Sequence, residues 1–290
     1  MPTEPTQQLL VAYEDYSYAT SSLVTGSNWN PIHPATNIVT SKYSEVAELA
    51  SASSSISIDL GSAKALGIVC LPRHTLSITA TWRVRLSNNV TLLTNPSAVA
   101  IQDIIYDSTE QVWPDTTDYT SVPYGEYTGW AGTIPDIYNP PALLFLPEGT
   151  TAQYLYLDIV DQIGSTISKL FIGPYWQPTH GISKNWGIAY VDQKKPKRLK
   201  GAAVLAEQTP RHKTVKMSCK YLTESEAFSN AASIDKVQGV NKPYLVIINP
   251  ADKINRHRLL IYGTNKKLLP VQEVGAYGYY SKNFEIVEWL

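Results

Sequence analysis

The chain has 290 residues, a charged fraction of 17% and an aromatic fraction of 10%, with 19 Tyr against 4 Phe. That length leaves room for two domains with cores of their own, and a Tyr-rich, charge-poor composition points to β-structure, because aromatic and β-branched side chains fit a pleated, half-buried surface. The net charge of -1 conceals a division, since residues 1–174 carry 6 Lys and Arg against 16 Asp and Glu while residues 175–290 carry 18 against 9, which argues for two domains of opposite sign. The basic half suggests nucleic acid, but DQKKPKRLKG is a single exposed run without Arg-aromatic interleaving, which argues against it.

The opening residues MPTEPTQQLL lack the basic start and apolar core of a secretory signal, and no stretch approaches the ~18 apolar residues of a membrane span. The expectation is a protein made in the cytoplasm that does not insert into a membrane. SASSS at 51–55 reads as a flexible lead. Ile56, Ile58 and Leu60 then share one strand face, Gly61-Ser62-Ala63 reads as a turn, and Leu66–Leu71 reads as a second, continuously apolar strand. In TWRVRLSNN, Trp82, Val84 and Leu86 face one way and Arg83 and Arg85 the other, with a turn at Asn88-Asn89.

Residues 113–141 differ in character. Trp113, Tyr119, Tyr124, Tyr127, Trp130 and Tyr138 stand among Pro114, Pro123, Gly125, Gly129, Gly132, Pro135, Pro140 and Pro141, a pattern that predicts a long loop held by its own rings. Tyr154–Ile159 and Ile167–Gly173 supply further strands, and short strands between turn signals suggest a sandwich or jelly roll.

A connector, a strand at GIAYVD and an exposed basic turn, KKPKRLKG, follow. One helix is predicted over 223–238: Thr223 with Glu226 forms a capping box, Ala227, Phe228, Ala231, Ile234 or Ala232, and Val237 recur at helical spacing, and Gly239 stops it. Strands are expected at Pro243–Ile248, His257–Tyr262, Leu268–Val274 and Phe284–Leu290. Cys70 and Cys219 lie far apart and read as buried thiols rather than a disulfide or zinc site.

NPIHPATNIVT, SISIDLGSAKALGIVCL, YLYLDIV and ISKLFIG together resemble the galactose-binding-like, discoidin-type jelly roll over residues 20–174. The resemblance implies that Asp59 serves loop amides and Gly61 the turn. WRVRLSNN, IIYDSTEQVWP, GWAG, LYLDIVD and LFIGPYWQP, followed by the Thr-capped helix with SEAF, KPYLVIINP, RLLIYG and FEIVEW, resemble tail-tip proteins of long-tailed bacteriophages, of the distal tail or baseplate type. The fold expected is mainly β: an N-terminal β-sandwich or jelly roll over 1–174, and a smaller β-barrel-like module with one α-helix over 175–290. The function this resemblance implies is a structural virion protein of the tail, forming a homo-oligomeric ring and docking neighbouring tail proteins, with the Phe228 face of the helix in the core of its assembly module.

Catalytic spacing is not evident. His33, His74, His180, His212 and His257 follow no metal-ligand spacing, with His212 and His257 read as solvated or strand-face residues. Asp115 and Asp118 could form a carboxylate pair for glycan hydrolysis, though acids at loop starts more often cap turns. No nucleophile elbow, Cys-His signature or phosphate loop is present. The expectation is therefore no enzyme, no cofactor, no metal and no nucleic acid. As an alternative, the chain is an adhesin or receptor-binding protein for a cell-surface glycan, with Trp29, Trp113, Trp130, Tyr119, Tyr124 and Tyr127 stacking on sugar rings; packing of these rings onto the sandwich or a neighbouring subunit is the preferred reading.

Overall fold

In a computed structural model, residues 8–18, 23–40, 42, 44–77, 79–111, 141–192, 197–198, 204–205, 211–252, 258–275 and 278–289 are described. The chain divides into two units. Unit 1 is built around residues 14–175, with 250–260, and unit 2 around 7–13, 176–249 and 261–290. Strand β1 (Leu9–Ala12), which sequence order groups with the first 174 residues, lies in the sheet of unit 2, where it pairs antiparallel with residues 245–248.

The strands of unit 1 are β2 (Leu23–Ser27), β3 (Ala47–Glu48), β4 (Ser53–Ala65), β5 (Ile68–Leu71), β6 (Thr81–Ser87), β7 (Ile104–Gln111), β8 (Ala142–Phe145), β9 (Thr151–Val160), β10 (Thr166–Ile167) and β11 (Phe171–Gly173). One sheet has the order β2-β4-β9-β6-β7, a second has the order β11-β5-β8, and β10 pairs with β3. Leaving β4 the chain crosses to β5, returns for β6 and β7, crosses to β8, returns for β9 and crosses again to β11. That alternation between two antiparallel sheets is a jelly roll.

Period-two patterning supplies the core. Ile56, Ile58 and Leu60 of β4, Trp82, Val84 and Leu86 of β6, and Leu155, Leu157 and Ile159 of β9 are all buried against Val69, Leu71, Leu144 and Ile172 from the facing sheet. Each such side chain contributes about 1.5–3 kcal/mol by leaving water.

The Asp-Leu-Gly segment does not end its strand. β4 runs on to Ala65 through a bulge, its register against β9 shifting between Asp59 and Lys64. Asp59 Oδ1 accepts from the backbone N–H of Gly61 at 2.7 Å, and Gly61 takes φ 79°, a left-handed conformation open to glycine at little cost. Nor is SASSS merely a lead. Ser53, Ser54 and Ser55 are the first residues of β4, and the buried Ser54 hydroxyl donates to the carbonyl of Asn28 at 2.7 Å.

Unit 2 contributes β12 (Gly187–Val191), β13 (Lys197–Arg198), β14 (Val204–Leu205), β15 (His212–Leu222), β16 (Tyr244–Ile248), β17 (Leu260–Asn265), β18 (Val271–Glu273) and β19 (Tyr280–Glu288). Its main sheet has the order β1-β16-β17-β19-β15-β12, with β18 on β19. The Thr223–Glu226 capping box forms: the Glu226 carboxylate accepts from the Thr223 N–H at 3.0 Å, and Thr223 Oγ1 accepts from the Glu226 N–H at 3.3 Å. The first turns, Glu226–Ala231, are π-helical, with the Ala232 N–H bonding back to Ala227, and Ala232–Gln238 is α-helical. Gly239 stops the helix at φ 58°.

The buried stripe of this helix is Ala227, Ala231, Ile234 and Gln238. Phe228, expected in the core, is 52% exposed, and Val237 is 46% exposed. Two alanines on the contact face let the helix approach the sheet closely. Phe228, one residue off that stripe, is left at its margin, edge-on to Tyr280 with ring centroids 5.1 Å apart.

Candidate functional site

Alternation along β4, β6 and β9 puts one face of the five-stranded sheet in the core and leaves the other facing outward. Antiparallel register aligns the outward residues in rows. One row runs Ser27, Ser55, Asp158, Arg83, Thr109, and the next runs Thr25, Ser57, Tyr156, Arg85, Asp107. At about 4.8 Å between strands, five strands make a face about 19 Å across.

Its charged groups are held in place. Arg83 donates through Nε and Nη2 to the two oxygens of Asp107, both at 2.7 Å, and Arg85 Nε donates to Asp107 Oδ2 at 2.9 Å. Arg85 Nη1 reaches the carbonyl of Pro96 at 2.7 Å. Burial works to raise the Asp107 carboxyl, but the hydrogen bonds from Arg83 and Arg85 outweigh it and hold its pKa below the ordinary carboxylate value. The bond to Asp107 also raises the pKa of Arg83.

One end of the face is walled. After the Asn88-Asn89 turn, Asn89 Oδ1 accepts from the Thr91 N–H at 3.0 Å and starts the short helix α1 (Thr91–Thr94). Leu92 and Val99 from this crossing segment are buried with Tyr154, and Leu93, Ile104 and Tyr156 pack against them. Beyond the wall the floor is polar. Ser27 and Ser55 share a hydrogen bond of 2.8 Å, and Ser53 Oγ donates to Asp158 Oδ1 at 3.2 Å. Carboxylate acceptors, guanidinium donors and hydroxyls that serve as either thus lie side by side, next to a half-buried tyrosine ring.

The residues singled out in the sequence fall differently. Trp113, Tyr119, Tyr124, Tyr127 and Trp130, with Asp115, Asp118 and His257, lie outside the described residues. Trp29 is committed to packing: its Nε1 donates to the carbonyl of Ser55 at 2.7 Å and its ring lies against the unit 1 core. The four described histidines do not converge. His33 Nε2 is 3.8 Å from Glu48, His74 and His212 are buried, and His180 meets Tyr221 and Tyr279 edge to face at 6.4 and 6.5 Å. Among the described residues, no three His, Cys, Asp or Glu side chains form a group that could hold a metal ion.

Asp161 had no sequence signal. Only 9% exposed, its carboxylate accepts from the Ser77 N–H at 2.9 Å, Ser165 Oγ at 2.7 Å and Ser77 Oγ. Burial would raise its pKa, but these bonds prevail and lower it. Its oxygens are spent on tying loops together.

No protein-family model matches the chain, and no curated protein matches it. Solved structures similar in chain path include CpGH89CBM32-6 from Clostridium perfringens, 10% identical over 55% of this chain and 98% of that one, with a TM-score of 0.35. A fucose-binding module from Streptococcus pneumoniae is 12% identical over 56% and 95%, with a TM-score of 0.35. The family 32 CBM of C. perfringens NanJ in complex with galactose is 11% identical over 58% and 99%, also with a TM-score of 0.35. At such identities the fold is read from the strand pairings themselves, and they make this chain mainly β, with an antiparallel jelly roll as its first unit.

Proposed function

We propose that unit 1 is a non-catalytic glycan-binding module whose contact surface is the outer sheet face around Arg83, Asp107, Tyr156 and Asp158. The observation that carries this reading is the fixed cross-strand array of planar, multiply bonding groups and hydroxyls beside a tyrosine ring. Adjacent sugar hydroxyls each donate and accept, so they suit neighbouring carboxylates and guanidinium groups, while the apolar face of a pyranose suits an aromatic ring. The sequence directly following β7, an edge strand of this face, carries Trp113, Tyr119, Tyr124, Tyr127 and Trp130, further rings of the type that stacks on sugars.

A glycan array probed with the full chain tests this, with galactose- and fucose-terminated glycans first, the sugars named with the similar solved structures. Binding that is lost in Arg83→Ala and Asp158→Ala, with the glycan recovered chemically intact, supports the reading. A chain that retains no glycan, or variants that bind as well as the parent, would refute it.

A second reading, a structural protein of a phage tail tip, draws on the opposite charge of the two halves, which suits head-to-tail contacts. The two are compatible if the tail protein carries the glycan-binding face. Antibody-labelled electron microscopy of phage particles tests it, and a chain absent from particles ends it.

A further inference from the structure

The two edges of the unit 2 sheet are treated differently. At β1 the edge is closed: Val11 and Trp176 exchange backbone hydrogen bonds of 2.9 and 2.8 Å. At β12 the strand is paired with β15 on one side, and no described strand pairs with the other. This edge is also apolar and open, with Tyr190 63% exposed, Val191 40% and Trp186 36%. From Trp186 to Val191 the sequence, WGIAYV, contains no charge and no proline. Natural sheet edges are ordinarily guarded by Lys, Pro or a bulge, because a bare row of N–H and C=O groups templates another strand.

We infer that β12 is a docking edge for a second copy of this chain, the two strands pairing antiparallel about Ile188. The sequence around that residue is complementary to itself. With Ile188 opposite Ile188 of the second copy, Gly187 falls opposite Ala189, and Trp186, the residue just before the strand, falls level with Tyr190. An aromatic pair on facing positions stabilises an antiparallel pair. Moving the centre to Ala189 would set Trp186 level with Asp192, losing the aromatic pair.

Such a pairing is isologous: the same patch serves both copies, so it closes at two and does not propagate. Joining two copies places two outer sheet faces in one particle, and a bivalent particle holds a multivalent surface more tightly than either face alone.

Sedimentation of the full chain without glycan, from about 1 to 100 µM, tests the inference separately from sugar binding. The expected result is a reversible dimer that Ile188→Lys and Ile188→Glu each abolish and that an equimolar mixture of the two restores. Ile188→Cys should cross-link to itself on oxidation, since facing residues lie about 4.5–5.5 Å apart between Cα atoms, whereas Ala189→Cys should not. A monomer at every concentration overturns the proposal. So does a dimer indifferent to Ile188→Lys, or cross-linking at 189 instead of 188.

Discussion

Asp107 is gripped by Arg83 through two parallel hydrogen bonds of 2.7 Å, one to each carboxylate oxygen, and Arg85 adds a third. The planar fork fixes the position of the guanidinium on the open face. Removing the carboxylate in Asp107→Ala releases Arg83 into rotamer freedom and leaves Arg85 held through the carbonyl of Pro96, without touching the core. The expected effect is a loss of glycan affinity of about tenfold or more, about 1.4 kcal/mol, with stability changed by less than about 1 kcal/mol because the pair is partly exposed. Calorimetric titration beside a thermal melt checks both. If the affinity is unchanged, the ion pair plays no part in binding.

Asp161 answers to pH. Its folded pKa lies below the unfolded value of about 3.9, so the folded state favours the ionised form. The stability this contributes is fully present above the unfolded pKa. It declines as pH falls below that value and is gone once pH has passed through the folded pKa. Asp107 and Glu226 are shifted the same way and add to the trend. Asp161→Asn, which places an amide among serine donors, should cost about 1–3 kcal/mol near neutral pH. The deficit should narrow in acid, and melts between pH 2 and 7 would show it.

The sandwich was legible where one face alternated. Trp82, Val84 and Leu86 against Arg83 and Arg85 identified both the strand and its core side, because period-two burial leaves a local signature. The candidate site was not legible. Asp107 comes from the next strand and Asp158 from one far along the chain, and only register determines that Arg83 stands opposite Asp158 and Arg85 opposite Asp107. Asp59 shows the same limit on a smaller scale. Its turn was visible beside Gly61, but the continuation of β4 to Ala65 depends on pairing with Thr151 and Ala152 of β9.

The helix of unit 2 separates cap, margin and core. Thr223→Ala removes one half of the reciprocal cap and should cost about 1 kcal/mol. Ile234→Ala, fully buried, should cost about 2–5 kcal/mol. Phe228→Ala should cost less than Ile234→Ala, since Phe228 is already half exposed to water. Urea titrations of the three variants give the ranking directly. A Phe228 variant as damaging as Ile234→Ala would return that ring to the core.

The two thiols offer a reading of each unit by itself. Cys70 on β5 belongs to unit 1 and Cys219 on β15 to unit 2, both buried and unbonded. Burial raises the pKa of Cys70 well above its ordinary value, and burial followed by the charge of Glu226 raises that of Cys219 to about 12. Thiolate is the reactive form, so neither should react with an aromatic disulfide reagent at neutral pH while its strand is in place. Labelling then reports opening, and Cys70→Ala and Cys219→Ala leave one reporter each. With rising urea the two single-thiol variants should become reactive at different concentrations if each unit unfolds about its own core. Coincident labelling would show that the chain opens as one cooperative body, and fast labelling of either thiol without denaturant would contradict its burial.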